Sequence, residues 1–176
     1  MGSTASGKYV NEFVGITCDL GSDWTFMTDA EIQQNNMQAM GMVGDDYAEL
    51  MKNAQAFTDM MATNANRTDT LGVSIEKLPA GNTSVTEEQY VALSKDALKG
   101  ALESMGMTNV KLNSGNAVFA GSKHAYISVS ATYNGVPVYE RLAIVKCSKY
   151  VAVVTVCTWQ KDNCKEILDL FKPITV

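Results

Sequence analysis

One histidine, three prolines and four cysteines give this 176-residue chain little of the side-chain chemistry on which many enzymes and metal proteins are built. Cys18, Cys147, Cys157 and Cys164 form no CxxC pair and no metal-ligand spacing, so neither a zinc site nor a dithiol redox motif is legible. Buried free thiols are the expected state. A Cys157–Cys164 approach stays open if the last helix folds straight back on its strand. Positive charge is also short: 14 Lys and Arg against 19 Asp and Glu leave a net charge of −5. With no run of basic residues interleaved with aromatics, nucleic acid is not an expected partner. No apolar run approaches the ~20 residues that span a bilayer. There is no internal repeat, low-complexity segment or dividing linker.

What is present is a long β-rich stretch from His124 to Trp159. HAYISVSATY alternates apolar and polar residues, Asn134-Gly135 supplies a type I′ turn, VPVYERLAIVKC follows, and a turn at Ser148-Lys149 leads into YVAVVTVCTW. Setting Tyr133 opposite Val136 places Ile127 opposite Leu142, Ala125 opposite Ile144 and Ala131 opposite Val138 on one apolar face. The other face then pairs Tyr126 with Ala143, Ser128 with Arg141 and Ser130 with Tyr139. The third strand is apolar on both sides and needs cover above and below. The expected fold class is therefore α/β (α+β), a central antiparallel sheet with helices on both faces in a three-layer sandwich.

The opening MGSTASGK is small and polar and reads as a disordered tether over residues 1–8, with a single domain over 9–176. Tyr9 to Leu20 reads as two short strands, followed by a loop carrying Trp24. Thr28 with Glu31 starts a helix from Asp29 to about Met40, broken by Gly41 and Gly44. A second helix restarts at Asp45-Asp46 with the stripe Tyr47, Leu50, Met51 and Ala54. FTDMMAT and TLGVSIEKL are the next two strands. Thr86 with Gln89 caps the clearest helix, Glu87 to Met105, whose inward stripe is Val91, Ser94, Leu98, Ala101, Leu102 and Met105, while Glu87, Lys95, Lys99 and Glu103 face water. Short strands at Val110–Leu112 and Ala117–Ala120 precede the meander, and a helix from Cys164 to Phe171 follows it, ending at Pro173.

Tyr9, Asn11, Gly15-Ile16, Leu20 and Trp24, together with the long helix before the meander and the helix after it, resemble the PsbP-like fold. That fold is shared by the extrinsic PsbP subunit of photosystem II, a Ran-binding nuclear import factor and bacterial envelope lipoproteins of the DcrB kind. Gly21-Ser22-Asp23 stands where a proline is usual before the tryptophan. The resemblance spans most of Tyr9 to Phe171. It implies a non-enzymatic binding or assembly module, with a protein partner in the cell envelope and no cofactor. It transfers no site residues. In a lipoprotein of this kind a lipidated cysteine would stand where Met1 stands, so a location outside the cytoplasm on a lipid anchor is the expectation, against an ordinary cytosolic start.

Among single residues, Arg141 lies mid-strand on the face it shares with Tyr126, Ser128, Ser130 and Tyr139. A guanidinium fork, hydroxyls and two rings there suit an acidic or polar ligand or a partner's loop. The plainer reading is a half-covered strand face with Arg141 paired to an acidic neighbour. Methionines 37, 40, 42, 51, 60 and 61 read as core filler, or as one wall of a small-molecule carrier whose ligand sits between methionine-rich helices and the sheet. His124, opening a strand after Gly121-Ser122-Lys123, reads as a solvated strand-end residue, with a hydrolase as the remote alternative. No catalytic and no metal-binding residue is assigned. Glu140 falls on the apolar face beside Cys157 and Val129, where a carboxylate is out of place. It is the residue on which the register stands or falls.

Overall fold

A computed structural model describes residues 2–42 and 56–175, with side chains described outside 39–42. Chain order runs β1 (Ser3–Ala5), β2 (Lys8–Asn11), β3 (Ile16–Asp19), β4 (Trp24–Phe26), α1 (Asp29–Met42), β5 (Phe57–Asn64), β6 (Asp69–Lys77) and α2 (Glu87–Ser104). It continues through β7 (Thr108–Phe119), β8 (Ser122–Tyr133), β9 (Val136–Cys147), β10 (Tyr150–Trp159), α3 (Cys164–Leu168) and β11 (Phe171–Pro173). Two antiparallel sheets result, a large one ordered β4-β5-β6-β10-β9-β8-β7 and a small one ordered β1-β2-β3-β11. The architecture is mixed α/β and dominated by its sheets.

The meander pairs as its turns dictate. Asn134 and Gly135 take φ of 48° and 81°, the paired positive values of a type I′ turn. Tyr133 accordingly faces Val136, Ser128 faces Arg141, and Ala125 faces Ile144. Across the next turn Cys147 faces Tyr150 and Glu140 faces Cys157. Glu140 thus sits on the apolar face with the register intact. β10 is a central strand between β9 and β6, and its two faces enter two different cores, Val151, Val153 and Cys157 in one and Ala152, Val154 and Val156 in the other, which explains why both are apolar.

The faces are covered differently. On one, α2 packs over β7, β8 and β9, burying Val91 and Leu102 against Ala125, Ile127, Val129, Val138 and Ile144. On the other, the small sheet and the five-residue α3 meet the large sheet, and Tyr9, Ile16, Cys18, Phe171, Ile167 and Leu168 pack with Ala143, Val145, Val154 and Val156. The second layer is therefore mostly strand, where helices on both faces were expected. A four-stranded sheet assembled from both chain ends was not legible because its strands are only three or four residues long, too short for a period-two pattern to register.

Several element limits differ for physical reasons. Ser3–Ala5, expected within a tether over 1–8, forms β1 because it pairs with Lys8–Val10. Trp24, expected in a loop, is in a strand paired to Asn64. The two short strands expected at 110–112 and 117–120 are one strand, since the polar Ser114-Gly115-Asn116 stays paired with Ile127, Tyr126 and Ala125. A Cβ on Gly115 would lie 3.3 Å from the Tyr126 ring, so glycine keeps that ring close to the strand. The last helix ends at Leu168 rather than Phe171, and β11 instead carries Phe171 opposite Cys18 on β3. The expected helix at 45–54 and its glycine hinge lie outside the described residues.

Tyr9 and Asn11, singled out in the opening motif, form a buried polar junction between the sheets. The Tyr9 hydroxyl donates to Asp59 at 2.7 Å, Asn11 Nδ2 donates to the same carboxylate oxygen at 2.8 Å, and the Gly2 backbone N–H adds bonds of 2.8 and 3.0 Å. Asn11 Oδ1 accepts from the Val14 N–H at 2.9 Å. Both side chains are fully buried and satisfied, so the motif holds the sheets together.

Candidate functional site: a cavity between the long helix and the sheet

Thr86 caps α2 through reciprocal bonds with Gln89, the Thr86 side chain accepting from the Gln89 N–H at 3.2 Å and the Gln89 side chain from the Thr86 N–H at 2.9 Å. Glu87, expected in water, fixes the helix to the sheet. Its Oε1 accepts from the Lys146 N–H at 2.9 Å and its Oε2 from the Ala125 N–H at 3.0 Å. Ladder pairing of β8 with β9 ends at Ala125–Ile144, so the carboxylate takes backbone donors where the two strands part. Glu87 Oε1 also lies 2.9 Å from His124 Nδ1. The histidine ring is thus partnered and only 18% exposed, not solvated as expected.

Anchored this way, α2 lies over β7 to β9 and leaves a cavity of about 530 Å³ over β9, β10 and β6. That volume suits a small organic ligand. The helix contributes Tyr90, Leu93, Ser94, Ala97 and Leu98, and the preceding loop contributes Leu78, Pro79, Asn82 and Val85. The floor is built in rows by the strand register. Ser74, Val153 and Ile144 form one row, and Thr155, Leu142 and Ile127 the next. Glu76, opposite Val151, bounds these rows on one side, and Glu140, opposite Cys157, bounds them on the other.

The two carboxyl positions are thus separated by the six residues from Val151 to Cys157 along β10, about 20 Å at ~3.3 Å per residue. Burial raises both carboxyls: Glu140 is pushed up to about 7, and Glu76 is raised with an opposing pull from its hydrogen bond to Tyr90. Among the described residues Glu140 has one weak partner, the Cys157 thiol. That thiol is itself raised far above its ordinary range, first by burial and then by the Glu140 charge.

Of the residues singled out in the sequence, Arg141, Tyr126, Ser128, Ser130 and Tyr139 do share the opposite face. The Arg141 guanidinium carbon lies 4.3 Å from the Tyr126 ring centroid. These two border a cleft of only about 40 Å³, together with His124, Lys165 and Asp169. Ser128, Ser130 and Tyr139 do not line it; Tyr139 packs against the core, and its carbonyl accepts from Cys164 Sγ at 3.5 Å. Among the described residues, no serine, threonine or cysteine lines the cleft beside His124.

Of the methionines, Met60 is buried in the core with the small sheet and Met37 is 69% exposed. The described methionines do not line the large cavity, so a pocket walled by methionine-rich helices is not what these residues build; Met40, Met42 and Met51 fall outside the described side chains. All four cysteines are free. Cys157 packs on the α2 face and Cys164 beneath the other, so the two thiols feel each other's charge without forming a bond. Burial pushes Cys18 and Cys164 up to about 12.

Neither sequence comparison identifies the chain. No protein-family model and no curated protein matches it. Among solved structures it is similar to LpqN, described as involved in cell envelope biogenesis of Mycobacterium tuberculosis, at 9% identity and a TM-score of 0.48 over 89% of this chain and 82% of that one. It is also similar to PA94 from Pseudomonas aeruginosa, a protein of unknown function described as a putative regulator, at 17% identity and 0.34 over 51% and 58%. Likenesses this distant carry no functional argument, and the site is read from its own geometry.

That geometry suits binding. Apolar side chains from three strands and a helix face one volume, with the hydroxyls of Ser74, Ser94 and Thr155 among them and Glu76 and Glu140 at its borders. Among the described residues, no three His, Cys, Asp or Glu cluster as metal ligands. No described helix is long and apolar enough to cross a membrane. In the sequence, the signal for this border of the cavity is Glu140, a carboxyl at an inward position of a correctly registered strand.

Proposed function

We propose that this protein is a non-enzymatic binding module that holds a small, largely apolar molecule between α2 and the large sheet. The observation that carries the reading is the cavity of about 530 Å³ bordered by Leu98, Leu142, Ile144 and Val153. Apolar surface left open in this way is stabilised by whatever fills it. The bound molecule is recovered by extracting protein purified from its native source with organic solvent and identifying the extract by mass spectrometry. Ala97→Trp, which places an indole in the cavity from the helix side, is expected to abolish recovery while leaving circular dichroism unchanged. Equal recovery from wild type and variant would end the reading.

The PsbP-like membership and a lipid-anchored place in the bacterial envelope rest on the opening motif and element order, and they belong to the same proposal. Fractionation of native cells tests the location: the protein should follow the membrane and be released by detergent but not by salt. A protein partner docking on the Arg141–Tyr126 face is the second reading, favoured by the stacked guanidinium there. Crosslinking in native envelopes should then recover a specific protein with wild type and lose it with Arg141→Ala.

A further inference from the structure

The cavity's borders are chemically unequal. Glu76 is bonded to Tyr90, so that side is satisfied from within. Glu140 on the other side faces Cys157 from β10 and Val129 from β8, and among the described residues no cationic side chain partners it. The one lysine on the lining, Lys77, neighbours Glu76 in β6 and pairs with Tyr150, seven residues along β10 from Cys157. An ionised carboxylate in such a setting is costly unless a cation joins it, and among the described residues nothing within the site supplies one. Between the two carboxyls run Ile127, Leu142, Ile144 and Val153, with Leu98 from the helix, an apolar path about 20 Å long by the strand rise.

Resting on the binding reading above, we infer that the ligand is a cationic amphiphile, an amine whose ammonium group pairs with Glu140 and whose apolar chain lies along β9 and β10 beneath α2. The ammonium supplies up to three N–H donors to carboxylate oxygens that otherwise have only a thiol, and the ion pair forms where water is scarce and the attraction is strong. A hydroxyl in the same place would donate one neutral bond. A carboxylate would meet like charge. The alkyl chain covers the apolar rows, and its hydrophobic contribution is common to all three head groups.

The test is a calorimetric titration at pH 8 of dodecylamine, dodecanol and dodecanoate, each below its aggregation threshold, into wild type, Glu140→Gln and Glu103→Gln. Glu103 is exposed at the outer end of α2 and controls for general attraction of amines to an acidic protein. Wild type and Glu103→Gln should bind the amine at least about tenfold tighter than the alcohol, as a charge-assisted bond in a desolvated site requires. Glu140→Gln should lose that preference while keeping its affinity for the alcohol. Equal binding of amine and alcohol by wild type, or a preference that survives in Glu140→Gln, would overturn the ammonium assignment and leave the cavity reading standing. Binding of none of the three probes by wild type would overturn both.

Discussion

The two faces of the large sheet each hold a carboxylate away from bulk solvent, and they treat it in opposite ways. Asp59, beneath the small sheet, receives Gly2, Tyr9 and Asn11 as donors. Glu140, beneath α2, receives a thiol and an open cavity. The first arrangement satisfies a charge so that two sheets can close on each other. The second leaves one under-satisfied in a volume that the described residues do not fill. A buried polar group with all its partners is architecture, whereas one without them is a candidate contact for something from outside.

That contrast is broken most severely by removing its satisfied member. Asp59→Ala strands the Tyr9 hydroxyl proton in the core and leaves the Asn11 amide only its 3.1 Å bond to that hydroxyl; at about 1–3 kcal/mol for each donor that loses its acceptor the loss should be roughly 3 kcal/mol. Chemical denaturation should show it as a lower midpoint with an unchanged slope, and an unchanged midpoint would mean that the junction contributes nothing.

Removing the unsatisfied member should do the reverse. The Glu140 carboxyl ionises near 4.5 when exposed and about 7 in the fold. Between those values the native state holds more protons than the unfolded one, so stability falls as pH rises through that window and is flat above it. Glu140→Gln has no such fall. At ~1.4 kcal/mol per pH unit it should exceed wild type by up to about 3 kcal/mol at pH 8 and match it at pH 4. Parallel stability–pH curves for the two proteins would show that the carboxyl is fully hydrated in the fold.

A smaller effect sharpens the comparison at the helix anchor. Glu87→Ala leaves the Ala125 and Lys146 N–H groups and His124 without their acceptor, for roughly 2 kcal/mol. It should also speed amide exchange at the start of α2 and weaken whatever binds beneath it; exchange unchanged there would mean that the helix is held by packing alone. Least affected should be Arg141→Ala, which loses one cation–π contact worth about 0.5–1 kcal/mol. A drop of several kcal/mol would make that arginine part of the core rather than of a surface.

Much of this was legible in the sequence because it depends on neighbours along the chain. Asn134-Gly135 set the hairpin, and the hairpin set every pairing from Tyr133–Val136 to Ala125–Ile144. Thr86 and Gln89 set the start of α2. The faces of β8, β9 and β10 follow from a side-chain period of two, which needs no tertiary information. The same arithmetic placed Arg141 with Tyr126, and it placed Glu140 inward.

What only the tertiary structure decided is what lies against those faces. β6 joins β10 although 72 residues separate Lys77 from Tyr150, and β11 joins β3 from the far end of the chain. No local pattern encodes contacts made at that distance, because strands of three or four residues derive their stability from what they pack on. Whether Glu140 was an error of register or the border of a cavity depended on how far α2 reaches across the sheet, and that was set by Glu87 binding where β8 and β9 part. The sequence determined which side chains point inward; packing between distant segments determined that on one face they meet the small sheet and on the other partly α2 and partly a space large enough to hold a ligand.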